Sequence, residues 1–132
     1  MVKKKIESSQ YDILIIDDSK SIIKLITDII ASKGFSCKAA RNLPEAMDAL
    51  NACIPKLILL DVNMPDLNGY KFCMMLKEEE KFSNILVYYL TGTSQSEIGI
   101  KTLETKADGY ITKPFNLFDF NDVFDYMNKD KN

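Results

Sequence analysis

Histidine is absent from this sequence of 132 residues. Its absence excludes a Ser-His-Asp or Cys-His nucleophile, a zinc site built with imidazole, and a phosphohistidine within the chain itself. Any catalytic or binding chemistry must therefore depend on carboxylates, lysine, hydroxyl groups and a hard metal ion.

Cysteine is scarce, and the cysteines that occur form no metal-binding or redox motif. The chain has three, an odd number, widely spaced and without a C-x-x-C pair. This pattern predicts free thiols in a reducing compartment, and therefore a cytoplasmic protein. The three residues are Cys37, Cys53 and Cys73.

Long apolar runs are also missing. No stretch approaches transmembrane length, and the start of the chain lacks the apolar segment of a signal peptide. The net charge of −2 predicts no general attraction to nucleic acid or to anionic membranes. The composition, 46% hydrophobic and 27% charged, fits one globular domain. We predict a disordered leader over residues 1–10, the domain over 11–129 and a tail over 130–132.

Five apolar runs typical of strands alternate with five segments typical of helices. The predicted strands cover residues 13–16, 35–40, 57–60, 85–90 and 109–112. The second alternates apolar and polar residues, as an edge strand does, and the third is continuously apolar, as a central parallel strand is. Alternation of strands and helices predicts parallel βαβ units and a three-layer α/β sandwich.

The predicted helices have recognisable starts and apolar faces. Ser19 and Asn42 are good N-caps, and Gly34 is a good residue to follow the end of the first helix. The third and fourth helices are predicted over about residues 69–81 and 94–105. The apolar face of the first helix would comprise Ile22, Ile23, Leu25, Ile26, Ile29 and Ile30, and that of the last Leu117, Phe120, Phe124 and Met127.

Polar residues follow four of the five predicted strands. They are Asp17 and Asp18, Asp61, Thr91 and Lys113. Alone, each has an ordinary explanation, because acids often precede helices and Lys-Pro is a common turn. Since the carboxyl ends of parallel strands meet at one edge of a sheet, the residues together predict a site at that edge.

The chemistry of such a site follows from its charges. Three carboxylates at close range repel one another unless cations intervene, and Lys113 supplies one positive charge. Oxygen ligands favour Mg²⁺, which in turn favours an anionic partner such as a phosphoryl group. Asp61 is then a plausible nucleophile, Thr91 a hydroxyl donor to the phosphoryl group, and Gly92 leaves the approach open.

The motifs resemble those of the receiver domains of two-component response regulators. They are "ILIIDDS", "ARNLPEAMDAL", "LILLDVNMPDLNGY", "YLTGT" and "DGYITKPF", in the order and spacing of that family, and the resemblance covers residues 12 to about 127. The resemblance, with stand-alone chemotaxis regulators in particular, implies a flavodoxin-like fold. This fold has five helices and a parallel sheet of strand order 2-1-3-4-5.

The resemblance also implies a role for each residue of the predicted site. Asp61 would be the phosphoacceptor, Asp18 a direct Mg²⁺ ligand, Asp17 an assisting acid, Asn63 a ligand through its backbone carbonyl, Lys113 the phosphate-binding lysine, Thr91 the switch hydroxyl and Tyr110 the switch aromatic. The domain would catalyse only its own phosphorylation and dephosphorylation.

Partners follow from the same resemblance. A sensor histidine kinase or a histidine phosphotransfer protein would donate the phosphoryl group. An output partner would bind the face formed by the fourth helix, fifth strand and fifth helix, near Lys101, Tyr110 and Phe118. The domain itself is expected to bind neither nucleic acid nor a membrane.

A few positions depart from the family pattern or vary within it. The second helix begins "NLPEA", where a glycine usually follows the asparagine, and Gly92 replaces a more usual alanine. The first is remote from the site, whereas the second could loosen the loop after the fourth strand. Asn63 and Thr93 occupy positions that tune the rate of dephosphorylation in the family.

Three alternatives remain at this stage. Phosphatases of the haloacid dehalogenase group also use an aspartyl nucleophile, but they carry "D-x-D-x-[TV]" after the first strand, where this chain has "DDS". A receiver-like scaffold that is never phosphorylated usually lacks Asp61, Lys113 or one acid of the pair. The third alternative is a receiver domain cut from a longer regulator that carries an output domain.

Overall fold

Strands and helices alternate along the whole of the computed structural model, which describes residues 10–130. The elements are β1 (Ile13–Ile16), α1 (Lys20–Ser32), β2 (Cys37–Ala40), α2 (Leu43–Ala52), β3 (Leu57–Asp61), α3 (Gly69–Glu78), β4 (Leu86–Thr91), α4 (Gln95–Thr105), β5 (Gly109–Thr112) and α5 (Asn121–Asp130). A short 3₁₀ helix, Leu117–Phe120, precedes α5. Apart from Gln10 and Asp130, the predicted leader and tail lie outside the described residues.

The five strands form one parallel sheet of order β2-β1-β3-β4-β5, which confirms the predicted topology. β2 lies at one edge, as its alternating sequence predicts. Ile16 pairs with Leu60, so the residues that follow β1 lie level with the end of β3. Thr91 pairs with Thr112, which brings the ends of β4 and β5 to the same edge.

Helices cover both faces of the sheet, which gives the predicted three layers. Alternate residues of a strand point to opposite faces, so Ile13 and Ile15 pack in the layer of α1 and α5. Leu14 and Ile16 pack instead in the layer of α2, α3 and α4. Because both faces of the central strands are covered, these strands are continuously apolar.

α1 and α2 begin where the sequence predicts. The side chain of Ser19 accepts the N–H of Ile22, and that of Asn42 accepts the N–H of Glu45. These caps satisfy backbone donors that have no partner within their helix. The Ser19 cap therefore fixes the start of α1 at Lys20, with three residues between it and the end of β1, directly behind the predicted acidic edge.

Several predicted boundaries and faces differ from the structure. α3 ends at Glu78 rather than at residue 81, because the next residues form turns that close with Phe82 N–H to Glu79 O and Ile85 N–H to Phe82 O. β2 begins two residues later than predicted and β4 one residue later, extending to Thr91. Leu25 is exposed because helical periodicity turns Ile26, Ile29 and Ile30 toward the sheet instead.

The apolar stripe of the last helix is also shorter than predicted. Phe120, Phe124 and Met127 are buried, whereas Leu117 is exposed. Leu117 begins the short 3₁₀ helix that precedes α5, so it is not part of the α-helix whose face packs on the sheet. The predicted stripe therefore holds from Phe120 onward.

The predictions about cysteines and about long apolar segments can be compared with the described part of the chain. All three cysteines are free, with Cys73 buried and Cys37 and Cys53 half-buried. Among the helices of residues 10–130, none has both the length and the apolar composition needed to cross a membrane.

A close contact between β4 and β5 requires a glycine at the start of β5. Gly109 pairs with Tyr88, whose ring lies across the glycine. A Cβ atom added at Gly109 would come within 2.6 Å of Tyr88 Cε2, closer than van der Waals contact allows. The edge strand that leads to Lys113 is therefore packed under an aromatic ring on β4.

We expect the Gly109→Ala variant to be less stable than the wild type by about 1 kcal/mol or more, since the ring of Tyr88 must move to admit the new methyl group. Urea unfolding measures this change. Gly99→Ala, in the middle of α4 with nothing within 4 Å of an added Cβ, is the control and should stabilise by up to about 1 kcal/mol. A Gly109→Ala variant as stable as the wild type would contradict this packing.

Candidate functional site

Three aspartates meet at the carboxyl edge of the sheet, where β1 and β3 lie side by side. Asp17 follows β1 and is 0% exposed, Asp61 ends β3 and is 3% exposed, and Asp18 is exposed. One oxygen of each carboxylate lies within 4.8 Å of the others. The prediction that these acids come together is confirmed.

Three of the polar side chains at the strand ends are oriented by the same type of turn. Each accepts a hydrogen bond from the backbone N–H two residues further along, a turn typical of Asp, Asn, Ser and Thr. The three pairs are Asp17 Oδ1 with the N–H of Ser19 at 2.9 Å, Asp61 Oδ1 with that of Asn63 at 2.9 Å, and Thr91 Oγ1 with that of Thr93 at 2.8 Å.

Lys113 brings a positive charge to the acids from two strands away. Its Nζ lies 3.4 Å from Asp61 Oδ1 and 3.6 Å from Asp17 Oδ2. Neighbouring strands are about 4.8 Å apart, so a residue after β5 needs a long side chain to reach past β4. The N–H of Lys113 donates to the carbonyl of Thr91 at 2.6 Å, which holds the start of this side chain against β4.

The negative charge of the buried Asp17 carboxylate is only partly balanced. Its Oδ2 is buried and has no hydrogen-bond donor among the described residues, since Lys113 Nζ at 3.6 Å is too distant for one. Burial raises the pKa of the Asp17 carboxyl, and the charges of Asp61 and Asp18 raise it further. The N–H of Ser19 and the charge of Lys113 lower that pKa in part.

The charge balance shows what the cluster could hold. In the part of the chain that the structure describes, three carboxylates face a single ammonium group, and a buried oxygen of Asp17 lacks a donor. A hard divalent cation would satisfy that oxygen and offset the repulsion, and carboxylate oxygens are the donors such a cation prefers. The residues present therefore fit a metal of this class.

The first turn of α3 lies directly against the end of β3. A Cβ added at Gly69 would lie 3.2 Å from both the carbonyl oxygen of Asp61 and the Cα of Val62. Asn68 caps this helix by accepting the N–H of Lys71. Because residue 69 is a glycine, the start of α3 can lie close to the backbone of Asp61 and Val62, which leaves that backbone little room to shift.

The other predicted site residues lie at this edge or beside it. Thr91 is fully buried and shares the alternation of Val87 and Tyr89, which pack toward α3 and α4. Tyr110 is half-buried on β5, pairs with Tyr89 and packs against the same layer. The Asp61 cluster is therefore joined to Thr91 through Lys113, whereas Tyr110 belongs to the neighbouring α4 layer.

Sequence reasoning missed the positioning residues. The amide groups of Ser19, Asn63 and Thr93 orient the three strand-end side chains, and Gly69 admits α3. The spacing Asp-x-Ser, Asp-x-Asn and Thr-x-Thr was a visible signal for these turns. Asn63 was predicted to act through its carbonyl, and the contact seen here is made by its N–H.

Comparison with known proteins gives one family. The family model described as the response regulator receiver domain matches residues 13–125. Among curated proteins, the phosphate regulon transcriptional regulatory protein PhoB of Klebsiella pneumoniae is 36% identical over 104 residues, which cover 79% of this chain and 45% of that protein. The chain thus spans about half the length of the curated relatives it matches.

Solved structures of similar shape carry related descriptions. A signal receiver domain of a signal transduction histidine kinase from Syntrophus aciditrophicus is 31% identical, with a TM-score of 0.78 and 89% of each chain covered. A two-component response regulator from Legionella pneumophila is 26% identical, with a TM-score of 0.81, covering 91% of this chain and 99% of that one.

The charge balance of the acidic cluster leads to a prediction for Asp17. We expect the Asp17→Asn variant to be more stable than the wild type in EDTA, on the order of 1 kcal/mol, because it removes a buried charge. Addition of MgCl₂ should stabilise the wild type more than the variant, since the variant offers one charged ligand fewer. Urea unfolding in each buffer measures both effects.

Asp28→Asn is the matched control for this prediction. Asp28 is exposed and pairs with Lys24 at 3.0 Å on the surface of α1. Surface pairs of this kind contribute little, so its replacement should leave both the stability in EDTA and the response to MgCl₂ close to the wild type. Loss of stability on replacing Asp17 in EDTA would show that the cluster is not strained by charge.

Proposed function

We propose that Asp61 accepts a phosphoryl group and that its phosphorylation changes partner binding. The premise is that this chain belongs to the family of response regulator receiver domains. The observation that carries the proposal is the position of Asp61. Its carboxylate lies 3.4 Å from Lys113 Nζ and within 4.8 Å of an oxygen of Asp17 and of Asp18.

Access and charge favour Asp61 over its neighbours as the nucleophile. Asp17 is completely buried, so a phosphodonor in solution has no approach to it. Asp61 keeps a small exposed fraction, 5% of its side chain, while Lys113 lies beside it. Asp18 is exposed to water, which solvates its charge and weakens it as a nucleophile in this site.

A Mg²⁺ ion is the metal that we propose for the cluster. Asp18 and Asp61 would bind it directly, Asp17 would assist, and Asn63 would contribute its backbone carbonyl. When bound, the ion neutralises phosphoryl oxygens during transfer. Asp17 supports this assignment through its buried oxygen, which has no hydrogen-bond donor among residues 10–130.

The transfer itself moves one phosphoryl group between two nucleophiles. One carboxylate oxygen of Asp61 bonds to phosphorus, the P–N bond of a phosphohistidine breaks, and the imidazole leaves with the electron pair and takes up a proton. Lys113 stabilises the negative charge on the transferred oxygens. Water later attacks phosphorus and restores the Asp61 carboxylate, so the domain catalyses only its own phosphorylation and dephosphorylation.

A phosphohistidine donor must lie outside this sequence, because the sequence contains no histidine. We propose a sensor histidine kinase or a histidine phosphotransfer protein. Such donors act in the cytoplasm, and three free cysteines support that location for this chain.

Thr91 and Tyr110 are the residues that we propose to report the phosphorylated state. The hydroxyl of Thr91 accepts the N–H of Thr93 and retains its own proton, which it can donate to a phosphoryl group. Tyr110 lies on β5, half-buried beside the α4 layer. Movement of Thr91 toward Asp61 would open space for the Tyr110 ring and bias its position.

The proposed output surface comprises α4, β5 and α5. It carries exposed apolar side chains, among them Leu103 at 83% and Phe118 at 75% exposure. Lys101 of α4 is directed toward α3, with its Nζ 5.4 Å from the centre of the Tyr70 ring. Exposed apolar side chains of this kind support a protein partner.

Incubation with acetyl phosphate and MgCl₂, followed by mass spectrometry of the intact protein, tests the phosphoacceptor. We expect the wild type to gain one phosphoryl group, Asp61→Asn to gain none, and EDTA to prevent the gain. Asp66→Asn, an exposed aspartate of the following loop, is the control and should label like the wild type.

Two results would contradict the proposed function. Stable labelling of Asp61→Asn would place the phosphoryl group on another residue. Repeated turnover of a simple phosphate ester, with many cycles for each protein molecule, would instead indicate a phosphatase that uses an aspartyl nucleophile.

A further inference from the structure

The helix at the centre of the proposed output surface is weakly attached to the sheet. Of the eleven residues of α4, only Ile98 and Thr105 are buried, and Thr105 is polar. Ile100 and Leu103 are largely exposed instead. The buried side chains that attach α4 are therefore one apolar group near its start and one hydroxyl-bearing group at its end.

The hydroxyl at the end of α4 is bonded to the middle of β4. Thr105 Oγ1 lies 2.5 Å from the hydroxyl oxygen of Tyr89, which is fully buried. Thr105 donates its own proton to the carbonyl of Lys101 at 2.7 Å, so Tyr89 is the donor in the first bond. A phenol buried without this acceptor would be destabilising, which ties the end of α4 to one position.

Neighbouring contacts hold the same end of the helix. Cys73 of α3 is directed at the Thr105 carbonyl, with 3.7 Å between sulfur and oxygen. The ring of Tyr70 packs edge-on against Tyr89, with ring centres 5.2 Å apart. Beyond the helix, Asp108 exchanges two hydrogen bonds with the backbone of Val87, as donor through its N–H and as acceptor through its carboxylate.

The opposite end of α4 has a different attachment. There the segment before the helix is tied to β4 through Thr91, whose hydroxyl accepts the N–H of Thr93 at 2.8 Å. This is the hydroxyl that the proposed function turns toward the phosphoryl group. A reoriented Thr91 can withdraw its oxygen from Thr93, which releases the start of α4 while Tyr89 still holds its end.

We propose that the Tyr89–Thr105 hydrogen bond is an anchor that fixes the C-terminal end of α4 to β4, so that phosphorylation displaces the N-terminal end alone. The anchor itself depends only on the contacts described, whereas the displacement rests on the proposed function. Tyr89 and Thr105 are thus positioning residues for the output surface, and α4 pivots about its last turn.

Amide hydrogen exchange of the full chain, without a phosphodonor, tests the anchor. Tyr89→Phe and Thr105→Val should exchange about five-fold faster than the wild type at residues 101–108, the effect of losing a hydrogen bond of about 1 kcal/mol. Amides of β1 and β3 should keep their wild-type rates.

Two further variants separate the anchor from general effects on the helix. Thr102 Oγ1 donates to the carbonyl of Ile98 at 2.7 Å, as Thr105 Oγ1 does to that of Lys101. Thr102→Val therefore removes a hydroxyl-to-backbone bond within α4 but leaves the Tyr89–Thr105 bond intact. Thr105→Ser keeps the hydroxyl that Tyr89 needs. Both should exchange like the wild type at residues 103–108.

Acetyl phosphate and MgCl₂ then test the displacement. In the wild type we expect faster exchange at residues 93–98 and unchanged exchange at 103–108, whereas in Tyr89→Phe exchange should rise along the whole helix. Two results with Tyr89→Phe before the donor is added would overturn the anchor. One is exchange at residues 101–108 at the wild-type rate, and the other is an equal rise in exchange in β1 and β3. If Asp61 is not labelled, the proposed function is overturned. The comparison of exchange rates between variants and wild type without acetyl phosphate still tests the anchor.

Discussion

The register between β1 and β3 is the constraint on which the rest of the site depends. Because Ile16 lies opposite Leu60, the residue after β1 and the last residue of β3 are level, and both are aspartates. Two buried carboxylates at this distance repel each other, so the protein must supply positive charge. Lys113 supplies part of it from β5, while Asp17 Oδ2 has no hydrogen-bond donor within residues 10–130, which fits a site for a cation.

The alternation of the strands divides the site between the two helix layers. Asp17, Asp61 and Lys113 continue the positions of Ile15, Leu59 and Ile111, which pack with α1 and α5. Thr91 continues the positions of Val87 and Tyr89, which pack with α3 and α4. A phosphoryl group on Asp61 would therefore be held by residues of one layer and sensed by a hydroxyl of the other. This division explains how chemistry at the sheet edge can reach α4.

The parts of this arrangement that the sequence predicted are those with local signals. Apolar runs ending in Asp61, Thr91 or Lys113 located the strand ends, and family resemblance gave the strand order. The predicted end of α3 and the predicted place of Leu117 in the apolar stripe were wrong, because both depend on turns that hydrophobic periodicity does not resolve. The Tyr89–Thr105 bond could not be predicted, since it joins residues sixteen apart and depends on how α4 docks.

Tyr89 also shows why a polar group lies in an otherwise apolar layer. An aliphatic side chain at this position would contact α4 equally well in several registers, because apolar contacts have little directional preference. A buried phenol needs an acceptor at one place, and Thr105 is the residue of α4 that offers it. The hydrogen bond thus selects a single docked position for a helix with only two buried side chains. The proposed displacement of α4 requires a defined resting position, and Tyr89 provides it without adding apolar contacts that would hold the whole helix still.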